Sequence, residues 1–230
     1  LLRLDNVSKQ YARRDGTVVA LRPTTLEVAA GDFVAVVGPS GSGKTTLLSV
    51  LGGMLAPTVG KVWLEGRSVY DLSVSARTRL RRERIGFAFQ AFNLVPYLTA
   101  LENVQVPLYL AGLPPAKQRS RALALLERVG LADRAGHRPA ALSAGQQQRV
   151  VLARMLANGP AVVLADEPTG NLDPDTGRQV LDLLAEFNRE GRAVVLVTHD
   201  PAAAAAALRV WRLQAGAVAD TGAAAQPHAA

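Results

Sequence analysis

FVAVVGPSGSGKTTLLSVLGGML, residues 33–55, runs from an apolar stretch through a glycine-rich turn into a helical pattern. Its first five residues make the short apolar run expected of a parallel strand buried on both faces. Residues 38–45 then match G-x-x-x-x-G-K-[ST], in which Gly38, Gly41 and Gly43 let the backbone curl and point amide N–H groups at phosphate oxygens. Pro39, Ser40 and Ser42 complete the loop, Lys44 reaches the β and γ phosphates, and Thr45 offers a hydroxyl to Mg2+. Residues 46–55 read as a helix whose first turn, at Thr46, faces the phosphates. Strand, loop and helix in this order indicate a nucleotide-binding α/β core.

Two further strand ends carry chemistry. Residues 162–167 (VVLADE) form a second buried-strand run that closes on two acids, at the end of a parallel strand where open α/β sheets bind ligands. Asp166 is placed to hold Mg2+, and Glu167 to act as general base on an attacking water. Residues 193–198 (AVVLVT) form a third such run, ending in His199, whose imidazole can donate to the γ-phosphate or to that water. His137 and His228 have no such setting and read as surface residues.

The remaining pattern is coarser. Residues 1–30 and 61–70 alternate in short runs broken by Gly60 and Gly66, as a small antiparallel sheet requires. Residues 91–158 read mainly as helix, with Ala122, Leu125, Leu126 and Val129 on one face and Gly130 as a stop. Another helix aligns Val180, Leu183, Leu184 and Phe187 and stops at Gly191, and residues 202–207 are helix-prone. The tail from 223 reads as disordered.

At 230 residues and 49% hydrophobic, the chain can bury a full core. No stretch approaches the roughly 18 consecutive apolar residues of a membrane span, no signal segment is read at its start, and a soluble chain is expected. The absence of cysteine excludes disulfides and thiolate metal sites. Net charge is +7, with Arg77, Arg79, Arg81, Arg82 and Arg84 as the densest run; Glu83 within it and the lack of interleaved aromatics favour a solvated helix face over nucleic-acid or lipid binding.

With LSAGQQQR (residues 142–149), Gln90, GNLD (residues 170–173) and Tyr11, this set resembles the ATP-binding subunits of ABC transporters over about residues 4–218. The resemblance implies an α/β fold with a P-loop NTPase (RecA-like) core, a flanking antiparallel β subdomain and an inserted α-helical subdomain. One ATPase domain would span 1–222, with 91–158 as the helical insertion between 1–90 and 159–222. It implies ATP and Mg2+ as ligands, Gln90 sensing Mg2+ and the attacking water, and Tyr11 stacking on adenine. Asp173 would be a polar contact between two copies.

Ser143 is a good N-cap, so LSAGQ lies at a helix start suited to an anion. By resemblance Ser143, Gly145 and Gln146 serve the ATP of a second copy, in a head-to-tail sandwich dimer. Ala144 stands where the family usually has glycine; in the first helical turn it is expected to be harmless. The tracts FQAFNLVPYLTALENVQVPLYLAGL (residues 89–113), GNLD and QQQRVVLAR resemble the macrolide-efflux and lipoprotein-releasing branch. That likeness implies a membrane permease partner, reached at the cytoplasmic face of the inner or plasma membrane, with Phe92, Leu94, Val95 and Leu98 lining the groove that receives it. The alternative, a soluble ATPase of the same family acting on nucleic acid or ribosomes, usually carries two cassettes or a coiled-coil insertion. One cassette and no heptad insertion are read here, so no nucleic-acid partner is expected.

Overall fold

The computed structural model describes residues 1–14 and 16–223. His228 and residues 224–230 of the expected tail lie outside them, whereas Ala223 ends a strand. Two sheets organise the chain. The first is antiparallel, in the order β2-β1-β4-β5, from β1 (Leu2–Arg13), β2 (Gly16–Val28), β4 (Val59–Leu64) and β5 (Arg67–Ser68). The second has six strands in the order β10-β9-β3-β8-β7-β6. In it β3 (Phe33–Val37), β6 (Ile85–Ala88), β7 (Val162–Asp166), β8 (Ala193–Val197) and β9 (Arg209–Gln214) run parallel, and β10 (Ala217–Ala223) closes the edge antiparallel to β9.

Successive strand side chains point to opposite faces, and here both faces are buried. Val34, Val36, Val162, Leu164, Val195 and Val197 face α1 (Lys44–Leu51), whose Leu47, Leu48, Val50 and Leu51 also pack on the antiparallel sheet. Phe33, Ala35, Val163, Ala165, Val194 and Leu196 face α5 (Ala144–Leu156) and α6 (Pro174–Arg189). α1 is shorter than its sequence pattern. It stops at Gly52, where a Cβ would lie 2.0 Å from the Phe87 ring.

A third cluster holds α3 (Ala100–Leu110), α4 (Pro115–Arg128) and α5 together through Leu101, Val104, Leu108, Ala122, Leu126, Val150 and Ala153. Thus α5 buries Val151, Leu152, Met155 and Leu156 against the large sheet and its other flank in the helical cluster. Helix begins only at Ala100 in this region, where Thr99 and Glu102 form a reciprocal capping box. The preceding segment is clamped by the buried Asn103, whose Oδ1 accepts from Val95 N at 2.8 Å and whose Nδ2 donates to the carbonyls of Val95, Leu98 and Thr99. α4 is tied to α6 by Arg128, which pairs with Glu186 and Glu190 and lies over the Phe187 ring.

The arginine run, expected as a solvated face, forms α2 (Val74–Arg84) and is largely engaged. Arg81 donates to Gly53 O, Arg82 to Leu110 O, Arg84 pairs with Glu65, and Arg77 covers the Tyr70 ring. Helix termini expose carbonyls without partners, and these guanidinium groups reach them. Among the described residues no helix is long and apolar enough to cross a membrane.

Candidate functional site

β3, β8 and β7 are neighbours in the sheet, so the segments leaving their carboxyl ends meet at one edge. Gly38–Lys44 leaves β3, Glu167 leaves β7 and His199 leaves β8, as the strand ends predict. The loop itself is built by close approach. A Cβ on Gly38 would lie 2.1 Å from Leu213 O, and one on Gly43 2.2 Å from Ala20 O, while Gly41 adopts a left-handed φ of 75°. No other residue type fits the first two positions. Lys44 Nζ donates back to the carbonyls of Gly38 (2.8 Å) and Pro39 (3.0 Å), closing a ring over the loop. Ser42 Oγ is buried there without a hydrogen-bond partner.

Thr45 Oγ1 donates to Asp166 Oδ2 at 2.9 Å, joining the start of α1 to the end of β7. Burial raises the Asp166 carboxyl above the usual carboxylate range; the Thr45 bond lowers it, the neighbouring Glu167 raises it further and Lys44 lowers it. Glu167 has a left-handed φ of 48°, a conformation that costs a non-glycine residue about 1–3 kcal/mol and is found at functional sites. Its amide donates to Val197 O at 2.9 Å, and its side chain, 13% exposed, receives His199 twice. His199 Nδ1 donates to Oε1 at 2.8 Å and the His199 amide to Oε2 at 3.3 Å. Sequence reasoning aimed the imidazole at ligand or water, whereas one ring nitrogen is engaged by the acid beside it.

Gln90 is exposed, and no hydrogen bond joins it to Thr45 or Asp166. Its Nε2 instead sits beside Gly170, 3.5 Å from where a Cβ there would be; that position is 3.6 Å from Glu167 Cβ. Tyr11 is exposed on β1, under Lys9 Nζ at 5.3 Å from its ring centroid, and pairs across the sheet with Val18, also exposed. Val18 lies two residues from Ala20, which touches the Gly43 position, so the two side chains share a small platform that sequence reasoning noticed only in Tyr11.

Ser143, Gly145 and Gln146 are not brought to the phosphate loop of the same chain. They form the start of α5, where Ser143 Oγ accepts from Gln146 N at 3.3 Å and Gln146 Oε1 accepts from Ser143 N at 3.0 Å. Ala144 is the first helical residue, as expected. Gly145 packs on α6: a Cβ would lie 2.2 Å from Thr176 Cγ2. Asp173 has a local task, capping α6 by accepting from Thr176 N at 3.0 Å; the Thr176 hydroxyl, and then its amide, pull the Asp173 carboxyl below the usual range.

Phe92 and Leu94 pack on the core, whereas the cleft between α3, α5 and β6, about 290 Å³, is lined by Phe87, Phe89, Val106, Leu110 and Met155. Val95, Tyr97, Tyr109 and Leu110 are each exposed. Sequence patterns gave no sign of Tyr109 or of Arg154, which tethers the segment after Gln90.

Comparison with known proteins gives the family. The family model described as ABC transporter matches residues 21–170. The chain is 50% identical, over 94% of its length, to the macrolide export ATP-binding/permease protein MacB 1/2 of Paracoccus denitrificans, of which it covers 32%. It is 49% identical to an uncharacterized ABC transporter ATP-binding protein of Thermotoga maritima, covering 87% of this chain and 86% of the relative. The cassette MJ0796, solved as a dimer in a post-hydrolysis state with ADP and Pi, superposes with a TM-score of 0.90 at 42% identity, covering 96% of this chain and 98% of that one. The chain thus spans about a third of the length of the export relative.

Proposed function

The chain belongs to the ABC transporter family, and from that premise we propose that it is an ATP-hydrolysing cassette that drives a membrane permease of the export type. The observation that carries the reading is the paired geometry at the strand ends: Thr45 with Asp166, and Glu167 with His199, beside a loop that admits no side chain at Gly38 or Gly43. Phosphoryl transfer asks little covalent chemistry of a protein and much positioning of charge. Loop amides and Lys44 would hold the phosphates, with Lys44 exchanging two carbonyl partners for phosphate oxygens. Ser42, buried and unpaired, supplies a donor that fits the same anion.

The Thr45 hydroxyl and Asp166 carboxylate are hard oxygen donors on adjoining elements, a set that fits Mg2+, with Gln90 able to approach from the Gly170 side. Mg2+ bound there would neutralise charge on the β and γ phosphates. Glu167 would take the proton of the attacking water; His199 orients its carboxylate through Nδ1 and, when doubly protonated, can donate from Nε2 to the terminal phosphate. Tyr11 and Val18 offer a flat apolar surface for the base.

Ser143, Gly145 and Gln146 lie apart from the loop and at a helix start, which supports their service to a second copy's ATP in a head-to-tail dimer; the dimeric MJ0796 cassette supports the same reading. The names of the export relatives, which join a cassette to a permease, support a permease partner at the cytoplasmic face of the membrane. The cleft beside Phe89 and Leu110 would receive it on the helical insertion, residues 91–158. The test is Glu167→Gln. Loss of the general base slows turnover about 10²–10⁴-fold while Mg-ATP still binds, and the protein then runs at twice its 24.3 kDa mass on a sizing column. A single-chain species at saturating Mg-ATP refutes the sandwich.

A further inference from the structure

The segment carrying Gln90 is held from two sides by residues outside the assigned site. Asn171 Nδ2 donates to Gln90 O at 3.1 Å. Arg154, on α5, donates from Nη1 to Asn93 O at 2.6 Å and from Nη2 to Phe92 O at 2.9 Å. Between them the chain turns through Asn93 at a left-handed φ of 50°. Arg154 forms no ion pair among the described residues, and burial pulls its guanidinium below the usual arginine range. A half-buried guanidinium that spends both fork nitrogens on the carbonyls of residues 92 and 93 fixes that segment against α5 in one geometry.

We propose that Arg154 and Asn171 are positioning residues for ATP hydrolysis: together they fix the Gln90 segment between the signature helix and the turn after Glu167. Their origins give the argument its force. Arg154 lies 11 residues beyond the Ser143 cap on one rigid helix, and Asn171 four residues beyond Glu167, so Gln90 is referenced to both motifs at once. The clasp also accounts for the placement of Gln90 Nε2 beside Gly170. Movement of α5 is thereby transmitted to Gln90 through the carbonyls of residues 92 and 93.

The inference rests on the ATPase reading above, and the experiment separates the two. Steady-state turnover of Mg-ATP is measured for the wild-type chain, Arg154→Lys, Asn171→Ala, Gln90→Ala and each pair with Gln90→Ala. Lysine keeps the charge but has no fork to span two carbonyls. Each single change at 154 or 171 lowers kcat about five- to tenfold, the loss of one or two charge-assisted or neutral hydrogen bonds, with KM for ATP within about twofold. In the Gln90→Ala background both changes become nearly silent, because their effect passes through that amide.

Unchanged kcat in the single variants, or effects that simply add to Gln90→Ala, overturn the clasp. A wild-type chain without Mg-ATP turnover overturns the ATPase reading and the clasp with it. Thermal melts of the ligand-free variants guard against misfolding. Asn171 is exposed, so Asn171→Ala carries the cycle should Arg154→Lys fail to fold.

Discussion

Replacing Gly145 by alanine asks why the small residue after Ala144 is a glycine. The added Cβ would lie 2.2 Å from Thr176 Cγ2, where carbon pairs prefer about 3.5–4.0 Å. Thr176 cannot easily yield, since its amide is held by Asp173 Oδ1 at 3.0 Å in the α6 cap. Relief therefore requires α5 and α6 to part, and overpacking of this kind costs about 1–3 kcal/mol. Against it stands the gain of alanine over glycine in a helix, about 0.5–1 kcal/mol at most so near the N-terminus. A net loss of about 1–2 kcal/mol follows, read as a shifted urea midpoint of the ligand-free chain with unchanged slope. Thr176→Ser removes Cγ2 and leaves Oγ1 at 3.6 Å from the new carbon, so the double variant regains most of that loss. Gly145→Ala as stable as wild type, or no rescue by Thr176→Ser, refutes the packing argument. Mg-ATP turnover adds a second reading. If the rescued variant folds but does not turn over, position 145 is also needed empty by the nucleotide of the second copy.

Ala144→Gly leaves turnover within about twofold and costs no more than about 1 kcal/mol, because the residue is already helical; a large rise in ATPase rate would contradict this. Asn103→Ala strands Val95 N and Leu98 O, while Val95 O and Thr99 O keep the amides of Leu98 and residue 103, and lowers stability in urea by about 2–4 kcal/mol with new proteolysis at residues 95–99; a loss below about 0.5 kcal/mol would show that water replaces the amide. Tyr70, whose hydroxyl meets Val50 O at 2.9 Å and Leu55 O at 2.5 Å, is pushed up to about 12 by burial. Since the folded value exceeds the unfolded one, this stabilisation is complete below pH 10 and is lost as pH rises to about 12, by about 1–2 kcal/mol once screening of a partly exposed ring is discounted. Tyr70→Phe should flatten that alkaline limb, and an identical limb would assign it elsewhere.

The strands of the parallel sheet and the residues at their ends were legible because both signals are local: a five-residue apolar run, then a glycine or an acid. The left-handed backbone of Glu167 and its pairing with His199 were not, since they depend on β7 and β8 being neighbours. Helix ends were legible only where punctuation was strong. Gly130 and Gly191, both left-handed, stop their helices as expected, and the first helix ends at Leu51, short of its sequence pattern, ahead of Gly53, which is left-handed as well. Charge was the least legible feature. Arg81, Arg82 and Arg154 look like solvated residues in one dimension, and their partners are backbone carbonyls that no pattern of side chains announces.

Helix α5 belongs at once to the core under the large sheet and to the cluster of α3 and α4. Exchange of the helical part between related cassettes therefore has a natural cut after residue 143, not after the helix. A graft that carries α5 away takes Val151, Leu152, Met155 and Leu156 out of the sheet's core and leaves a hole the width of a helix. A graft that leaves α5 behind needs to match Val150, Ala153 and Ala157 and to offer backbone carbonyls to Arg149 and Arg154. The portable piece of this cassette is thus smaller than the part that looks helical, and the helix bearing the signature stays with the sheet.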